Sequence, residues 1–333
     1  MPAIRSQIEP DAELMAQLED ILRSGHVTND GPRLVGFEAA LAEWLGVTDA
    51  IGVGSGSAAL TLGLAALGLG PGRAVLPSFT YIATVNAVVS AGLTPVFADI
   101  DPETWTLSTE SVGEQLARYD DVRAVIAVNT YGVPAELGTL AEQLAAADCK
   151  LVSDSAHGMG TEAPEGRVHP APALHAWSLH ATKVLPAVEG GVVTTRDPEV
   201  ATEIRRLRRH GLAPDLRASS PGFNARMDEL RAAIGHHSLQ RLDGALSRRR
   251  AYVARLRRHL EANCSGRYQL QAVPEGVRPN GQNLAVLWRG SADVDAVIAA
   301  LADEGVQGHR YFWPALHGLD HFQGQPSLPV TED

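Results

Sequence analysis

The sequence predicts an α/β protein with a mostly parallel sheet and a second, smaller α/β domain. Short apolar runs alternate with helical patterns from about Ile51 to Thr195, which is typical of a βα-alternating fold. After Gly222 the pattern changes to one long amphipathic helix. With 333 residues and 45% apolar content, the chain is long enough for one large core and a smaller second one.

In the first part of the chain, each predicted strand is a short apolar run and each predicted helix has apolar residues at helical spacing. The predicted strands after the first one, near Ile51, are Arg73–Pro77, Pro95–Ala98, Ala124–Val128, Lys150–Ser153, Ala176–Leu179 and Gly191–Thr195. The predicted helices are Ala58–Leu67, Ile82–Ser90, Ser111–Arg118 and Leu137–Ala147.

The second part begins with a predicted helix at about 225–262 that bridges the two domains. Its apolar face is spaced by three, four and seven residues and consists of Leu239, Leu242, Leu246, Val253, Leu256 and Leu260. Beyond it we predict strands Tyr268–Val273, Asn283–Trp288 and Val306–Trp313, and a helix Ser291–Glu304. We therefore divide the chain into a large domain, 1–235, and a small domain, 236–333.

The net charge and the cysteine content indicate which ligands and which cellular compartment to expect. The 28 basic and 39 acidic residues give a net charge of −11, which argues against nucleic-acid binding because phosphates would be repelled. Cys149 and Cys264 are far apart in the sequence, so we expect two reduced thiols in a cytoplasmic protein. Met1–Glu9 lacks the apolar run of a signal peptide.

Two charge-free segments, Ile51–Gly72 and Ala74–Ala98, are long enough to be membrane-span candidates. Glycines and prolines interrupt both segments, and the second alternates strand-like and helix-like patches. We therefore predict that both are buried core and that the protein has no membrane partner.

Lys183 and Asp154 are the candidate catalytic residues. Asp154 directly follows an apolar strand, and Lys183 lies where another buried strand gives way to a loop. This pair suits pyridoxal 5'-phosphate (PLP) chemistry, in which a lysine forms a Schiff base and a carboxylate keeps the pyridine nitrogen protonated. Taken singly, Asp154 is equally explained as a cap and Lys183 as a surface group. Apolar neighbours would desolvate the lysine and lower its pKa; these are Trp177, Leu179, Val184, Leu185 and Pro186.

A second candidate is the turn Gly54–Leu60, which follows a strand and opens a helix. Free backbone N–H groups and the helix dipole make such a turn an anion site, and Ser57 adds a hydroxyl. A helix cap without a ligand explains the turn as well. The turn matches neither a dinucleotide fingerprint nor a Walker motif.

Five motifs in this order resemble those of the DegT/StrS family of sugar aminotransferases, PLP enzymes of fold type I. The motifs are Gly56–Leu60, Asp154–His157, Ser178–Lys183, Glu189–Gly191 and Gly222–Glu229. The resemblance covers roughly Gly25 to His317. It implies a seven-stranded, mixed and mostly parallel sheet in a PLP-binding large domain.

The resemblance also implies the cofactor-binding residues. Lys183 would be the Schiff-base lysine and Asp154 the partner of the pyridine nitrogen. Asn224 would reach the phosphate from the second subunit, which implies a homodimer with shared active sites. At the phosphate, the remaining candidates are Gly56, Ser57, Ala58 and Ser178. Tyr81 would stack on the ring, and His157 would lie near the ring or its phenolic oxygen. Core packing is the alternative for both Tyr81 and His157.

The segment His309–His317 is similar to the corresponding segment of transaminases that act at C4 of dTDP-4-keto-6-deoxyglucose. Arg310 is a candidate for the substrate diphosphate, and capping of a surface carboxylate explains it equally well. The other candidate substrate residues are Thr28 and Asn29 in the entry loop 28–32, His210 in the loop His210–Pro214, Tyr311 and His317.

The implied function is transfer of an amino group from glutamate to a nucleotide-linked keto-sugar, with PLP cycling through pyridoxamine 5'-phosphate, in deoxyaminosugar biosynthesis. Related 3-dehydratases carry histidine at the lysine position, so Lys183 favours transamination. Three alternatives stay open: amination at C3, a free cyclitol ketone as substrate, and a non-catalytic PLP-binding regulatory protein. The last rests on the end of the sequence at Asp333, where family members usually continue into a final helix.

Overall fold

The computed structural model describes residues 6, 8–213, 215, 217–218, 220–264, 266–322 and 324–333. Pro214 of the candidate loop, and Met1 to Arg5 and Gln7 of the N-terminal segment, lie outside the described residues. Among the residues described, no helix is both long and apolar enough to cross a membrane.

The predicted large domain contains a seven-stranded sheet, as expected. Its strands are β1 (Asp49–Val53), β2 (Gly72–Pro77), β3 (Leu93–Ala98), β4 (Val122–Val128), β5 (Lys150–Asp154), β6 (Leu174–Ser178) and β7 (Gly191–Thr195), in the order β1-β7-β6-β5-β4-β2-β3. β7 is antiparallel to both of its neighbours, and the other pairs are parallel. The predicted mixed, mostly parallel α/β fold is therefore confirmed.

Helices cover both faces of this sheet, which explains why its strands are almost continuously apolar. The helices of this part are α1 (Ala12–Ser24), α2 (Pro32–Leu45), α3 (Gly56–Ala66), α4 (Ile82–Ser90), α5 (Thr109–Arg118), α6 (Leu137–Leu144) and α7 (Pro198–Leu207). One buried cluster packs α3, α4 and α7 against one face of the sheet. Two other clusters lie on the opposite face: one contains α5 and α6, and the other contains α2. The four predicted helices are confirmed.

The predicted bridging helix is two helices. α8 (Glu229–Gln240) is capped by the side chain of Asp228, and α9 (Leu242–Asn263) begins after Arg241. Arg241 has φ −105° and ψ −1°, and this turn breaks the regular helix. The sequence pattern hides the break because Leu239, Leu242 and Leu246 are buried in the same cluster on both sides of it. The division into 1–235 and 236–333 stays a prediction.

The C-terminal part contains the antiparallel pair β8 (Tyr268–Leu270) and β9 (Val286–Trp288), and the helix α10 (Val294–Asp303). The predicted strand Val306–Trp313 is wrong: these residues form loop and turn. A strand needs a ladder partner, and β8 and β9 pair with each other.

The last described residues return to the large domain. Two short 3-10 helices, Leu316–Gly318 and Asp320–Phe322, precede α11 (Pro329–Glu332). Leu316 and Leu328 join the core cluster of α3 and α4. The backbone N–H groups of Val330 and Thr331 each donate to the carboxylate of Asp99 at 2.9 Å. These contacts attach the final segment to the carboxyl end of β3.

Candidate active site

Asp154 is the last residue of β5 and lies between β4 and β6 in the middle of the sheet. Its side chain is only 4% exposed. Oδ2 accepts from the hydroxyl of Thr84 at 2.8 Å, and Oδ1 accepts from the backbone N–H of Ala156 at 3.1 Å. Burial raises the pKa of Asp154, while these two donors and the charge of Lys183 act to lower it. The carboxylate is thus fixed at the edge of the sheet where open α/β folds bind ligands.

Lys183 lies in the loop between β6 and β7, within electrostatic range of Asp154. Its backbone N–H closes a turn onto the carbonyl of His180 at 2.8 Å. Burial lowers the pKa of Lys183 to about 8, and the negative charge of Asp154 only partly opposes this effect. The predicted desolvating neighbours are all buried; they are Trp177, Leu179, Val184, Leu185 and Pro186. The structure therefore brings the predicted pair together and increases the fraction of Lys183 that is in the neutral, nucleophilic form near physiological pH.

The turn before α3 lies directly against the end of β6. Ser55 is the N-cap, and its hydroxyl accepts from the N–H of Ala58 at 3.1 Å. A Cβ added to Gly56 would lie 2.8 Å from Cβ of Ser178, so only glycine permits this approach. The side chain of Ser178 is 8% exposed, whereas Ser57 is exposed. Two hydroxyls and a helix N-terminus thus meet beside the Lys183 loop.

The Glu189–Gly191 motif allows a second close approach. A Cβ on Gly191 would lie 2.2 Å from the carbonyl oxygen of Ser55, and one on Gly190 would lie 2.6 Å from Cε of Met227. The glycines therefore let β7 pass against the turn before α3. This contact brings the phosphate-site candidates next to the strand that follows the lysine loop.

His157 and Tyr81 differ in their surroundings. Burial, with a smaller contribution from the charge of Lys183, lowers the pKa of His157 to about 3, so its imidazole is neutral. The imidazole is nearly parallel to the ring of Tyr131, with centroids 6.1 Å apart. Tyr81 precedes α4, and 61% of its surface is exposed, so the core-packing alternative does not hold for this residue.

Asn224, Asn29 and His210 come together on the surface near the end of β1. Arg226 donates to Oδ1 of Asn224 at 3.0 Å and also to the side chain of Asn29. The N–H of His210 donates to the carbonyl of Phe223 at 2.9 Å, in a short bridge between residues 209 and 224. Thr28, half-buried, precedes Asn29 in the same loop.

Arg208 supports this group and was missed by sequence reasoning. Its side chain is 3% exposed, and its guanidinium pairs with Asp30 at 2.8 Å and with Glu38 at 2.6 Å. A single buried cation thus ties the entry loop to the end of α7. The sequence gives little signal for it, since the arginine lies in a run of basic residues and its partners are 178 and 170 positions away.

The C-terminal candidates occupy two different places. The Arg310 guanidinium lies 4.0 Å above the ring of Trp313 and 4.0 Å from the exposed carboxylate of Asp295. Tyr311, 55% exposed, accepts a hydrogen bond at its carbonyl from the Tyr131 hydroxyl. These contacts place the segment 310–313 next to the aromatic side chains around His157.

His317 is bound within the protein at both ring nitrogens. Nδ1 lies 2.7 Å from the hydroxyl of Ser78, and Nε2 lies 3.0 Å from a carboxylate oxygen of Glu332. Its side chain is 11% exposed. Both ring nitrogens therefore have partners that attach the C-terminal segment, and a role of His317 in substrate binding stays a prediction.

The residues at this edge of the sheet fit PLP. A buried carboxylate suits a protonated ring nitrogen, a desolvated amine suits a carbonyl carbon, and hydroxyls at a helix N-terminus suit a phosphate. Among the described residues, no cluster of histidine, cysteine, aspartate or glutamate could hold a metal ion.

Comparison with known proteins identifies the family. The model of the DegT/DnrJ/EryC1/StrS aminotransferase family matches residues 9–333. The structure of DesI, solved in the presence of its TDP-sugar product, is 33% identical with a TM-score of 0.89, over 100% of this chain and 84% of that one. DesV of S. venezuelae, solved in complex with a ketimine intermediate, is 32% identical with a TM-score of 0.89, over 96% and 86%. The aminotransferase TlmJ from Streptoalloteichus hindustanus is 28% identical with a TM-score of 0.88, over 98% and 89%. The chain belongs to the DegT/DnrJ/EryC1/StrS family and is a PLP-dependent sugar aminotransferase.

Proposed function

We propose that this protein transfers the amino group of L-glutamate to C4 of dTDP-4-keto-6-deoxyglucose, in deoxyaminosugar biosynthesis. The observation that carries the transamination is the buried pair of Asp154 and Lys183, whose pKa values are shifted in opposite directions. The substrate class is supported by the likeness to DesI, which was solved with its TDP-sugar product. The Arg310–Trp313 segment, which contacts the aromatic side chains around His157 through Tyr131, supports it further.

Each residue of the pair has a defined task. PLP, when bound, supplies an electron sink for the substrate carbon. Asp154 holds a proton on the pyridine nitrogen, since a carboxylate with two fixed donors keeps its orientation. Lys183 would hold the cofactor through Nζ, and the same Nζ, in its neutral form, would accept the α-proton of the amino donor. A pKa of about 8 makes the neutral form available near physiological pH.

The phosphate and the ring have separate ligands in this proposal. Ser57, Ser178 and the N-terminus of α3, with Gly56 and Ala58, bind the phosphate. His157, which is neutral, would contact the ring or its phenolic oxygen, and Tyr81 would stack on the ring. Because Tyr81 and Asn224 are exposed on a single chain, we infer that they act in a homodimer, with Asn224 reaching the phosphate of the second subunit.

The substrate contacts are proposed for two surfaces. Arg310 offers its planar guanidinium to the diphosphate, and Tyr311 lies beside it. Thr28, Asn29 and His210 approach the sugar from the loops held by Arg208. Asp295 lies 4.0 Å from Arg310 and is 75% exposed, so a diphosphate would compete with a weak, solvent-screened ion pair.

The test is a sequence of absorption spectra of the purified protein with PLP. We expect the absorbance of lysine-bound PLP to disappear on addition of L-glutamate and to return on addition of dTDP-4-keto-6-deoxyglucose. Lys183→Ala protein, as the control, should lack this absorbance from the start.

The other outcomes separate the alternatives. Return of the absorbance only with a 3-keto-sugar or with a free cyclitol ketone would reject the proposed substrate and retain transamination. Absorbance that no amino donor changes would contradict the catalytic role and favour a PLP-binding regulatory protein.

A further inference from the structure

Tyr131 occupies a central position between the cofactor residues and the substrate segment, and the function proposed above gives it no task. It lies in the 3-10 helix Thr130–Gly132, which directly follows β4. Its backbone has φ 55°, an unusual conformation for a residue with a large side chain. Such a conformation persists where the surrounding contacts determine it, and it is concentrated at functional sites.

The ring of Tyr131 is held by several aromatic neighbours. It is nearly parallel to the imidazole of His157, at 6.1 Å and 13°, and to the ring of Phe312, at 5.8 Å and 3°. Phe79 and Trp105 contact it edge-on at 6.1 and 6.5 Å. These distances and angles are those of favourable aromatic pairs. The position of the Tyr131 ring therefore determines how His157 and Phe312 can lie.

The hydroxyl of Tyr131 makes a separate contact. It donates to the backbone carbonyl of Tyr311 at 3.2 Å, across 180 positions of sequence. Burial raises the pKa of Tyr131 well above its ordinary value, so the group stays a neutral donor throughout the working pH range. The bond fixes the backbone next to Arg310.

We propose that Tyr131 is a positioning residue that orients His157 with its ring and holds the segment 310–313 with its hydroxyl. The assignment rests on the proposed function for the roles of His157 and Arg310. Its two contacts are chemically separable: phenylalanine keeps the ring and loses the hydrogen bond, whereas methionine loses both the aromatic face and the hydroxyl. If Tyr131 only filled space, Tyr131→Phe would change nothing.

The hydroxyl is tested with Tyr131→Phe by limited trypsin digestion and by kinetics. We expect cleavage of the Arg310–Tyr311 bond to become about three- to tenfold faster, as expected for loss of one neutral hydrogen bond. Cleavage after Arg217, whose side chain is 87% exposed, provides the internal reference and should not change. The KM for the nucleotide-sugar should rise by a similar factor of about three to ten, with kcat unchanged.

The ring is tested with Tyr131→Met, a flexible side chain that fills irregular space. We expect the dissociation constant for PLP to rise about two- to tenfold, as expected for loss of one aromatic pair. The pH dependence of the bound-PLP absorbance should also shift, because His157 loses its fixed orientation. Tyr119→Phe, at the end of α5 under Arg73, is the matched control and should change none of these readouts.

The wild-type protein separates failure of this assignment from failure of the proposed function. If wild type binds no PLP or transfers no amino group, the proposed function fails, while faster cleavage at Arg310 in Tyr131→Phe would still support the hydroxyl contact. If wild type is active and Tyr131→Phe shows wild-type cleavage and wild-type KM, the assignment is overturned. A folded Tyr131→Met protein with wild-type PLP affinity would overturn the role of the ring.

Discussion

Replacing Thr84 with valine would remove one of the two hydrogen-bond donors to the carboxylate of Asp154 and keep the side-chain volume. Thr84 is 1% exposed, and its hydroxyl donates to Oδ2 at 2.8 Å. A second hydroxyl, that of Thr80, lies 2.9 Å from the hydroxyl of Thr84 and forms a short chain behind it. Because water cannot replace the lost donor at this depth, the carboxylate would be left with Ala156 and the charge of Lys183.

A hydrogen bond to a charged group contributes about 1.5–3 kcal/mol. Because the lost donor stabilises the charged carboxylate, Thr84→Val should raise the pKa of Asp154. Burial already raises this pKa, so the variant moves further in the same direction. When a carboxyl group has a higher pKa in the folded than in the unfolded state, the folded protein is destabilised at pH values above the folded-state pKa. The effect disappears at pH values below the unfolded-state pKa, which is near 3.8. The protein without cofactor should therefore lose about 1.5–3 kcal/mol at pH values above the raised pKa of Asp154, and the loss should shrink as the pH falls through that pKa.

Urea unfolding over a series of pH values and PLP titration are the assays. We expect weaker PLP binding, since a carboxyl that protonates more easily pairs less well with a protonated ring nitrogen. Thr84→Ser should restore both properties because it retains the donor. Thr195→Val is the control: Thr195 is also buried, at 4% exposure, and lies at the opposite edge of the sheet. Its hydroxyl donates to the carbonyl of Ala173 at 2.7 Å and accepts from the N–H of Asp197 at 3.2 Å. Equal, pH-independent losses in Thr84→Val and Thr195→Val would refute the reasoning.

Three further predictions concern the lysine, the phosphate turn and the dimer. Gly56→Ala should lower the free energy of unfolding by about 1–3 kcal/mol, measured by urea unfolding, because the added Cβ would overlap Ser178. The control is Gly244→Ala in α9, where the added Cβ faces only the end of an arginine side chain and should not lower the free energy of unfolding. The rate of PLP capture, followed by stopped-flow absorbance, should rise with pH through about 8 and then level off, since only the neutral amine of Lys183 reacts; a flat profile would contradict the lowered pKa. The Lys183→Ala and Asn224→Ala chains can be unfolded, mixed and refolded together. If Asn224 acts across the dimer, about one quarter of wild-type activity should return, because half of the dimers are hybrids and each hybrid has one intact site. If Asn224 acts within its own chain, no activity should return.

The central strands could be predicted because their sequence patterns depend on burial alone. Ala124–Val128 and Lys150–Ser153 are apolar runs that lie inside β4 and β5, and the residues that follow such runs, such as Asp154, must lie at the ligand-binding edge. α2 was missed although Pro32 begins it and Gly46 ends it, both readable signals. The predicted strand at 306–313 failed because strand formation depends on a partner, which the local pattern does not specify.

The contacts that distinguish this site could not be predicted, because they join distant segments. Thr84 reaches Asp154 across 70 positions, and Tyr131 reaches Tyr311 across 180. Threonine on a buried helix and tyrosine after a strand are both ordinary core residues in a sequence. Only the three-dimensional arrangement gives them partners with functional candidates.

Three of the non-glycine residues with positive φ lie around one buried cation, and this has a consequence for specificity. Asn29, Asp30 and His210 have φ values of 71°, 59° and 62°, and Arg208 and Arg209 both pair with Asp30. Backbone in this region costs about 1–3 kcal/mol per residue and persists where neighbouring contacts enforce it. The loops proposed to approach the sugar are therefore held in a fixed shape by the large domain. The position of the segment 310–313, which carries Arg310, is instead fixed by the Tyr131 hydroxyl and a few aromatic contacts. We therefore expect adaptation to different nucleotide-sugars to occur mainly in this segment.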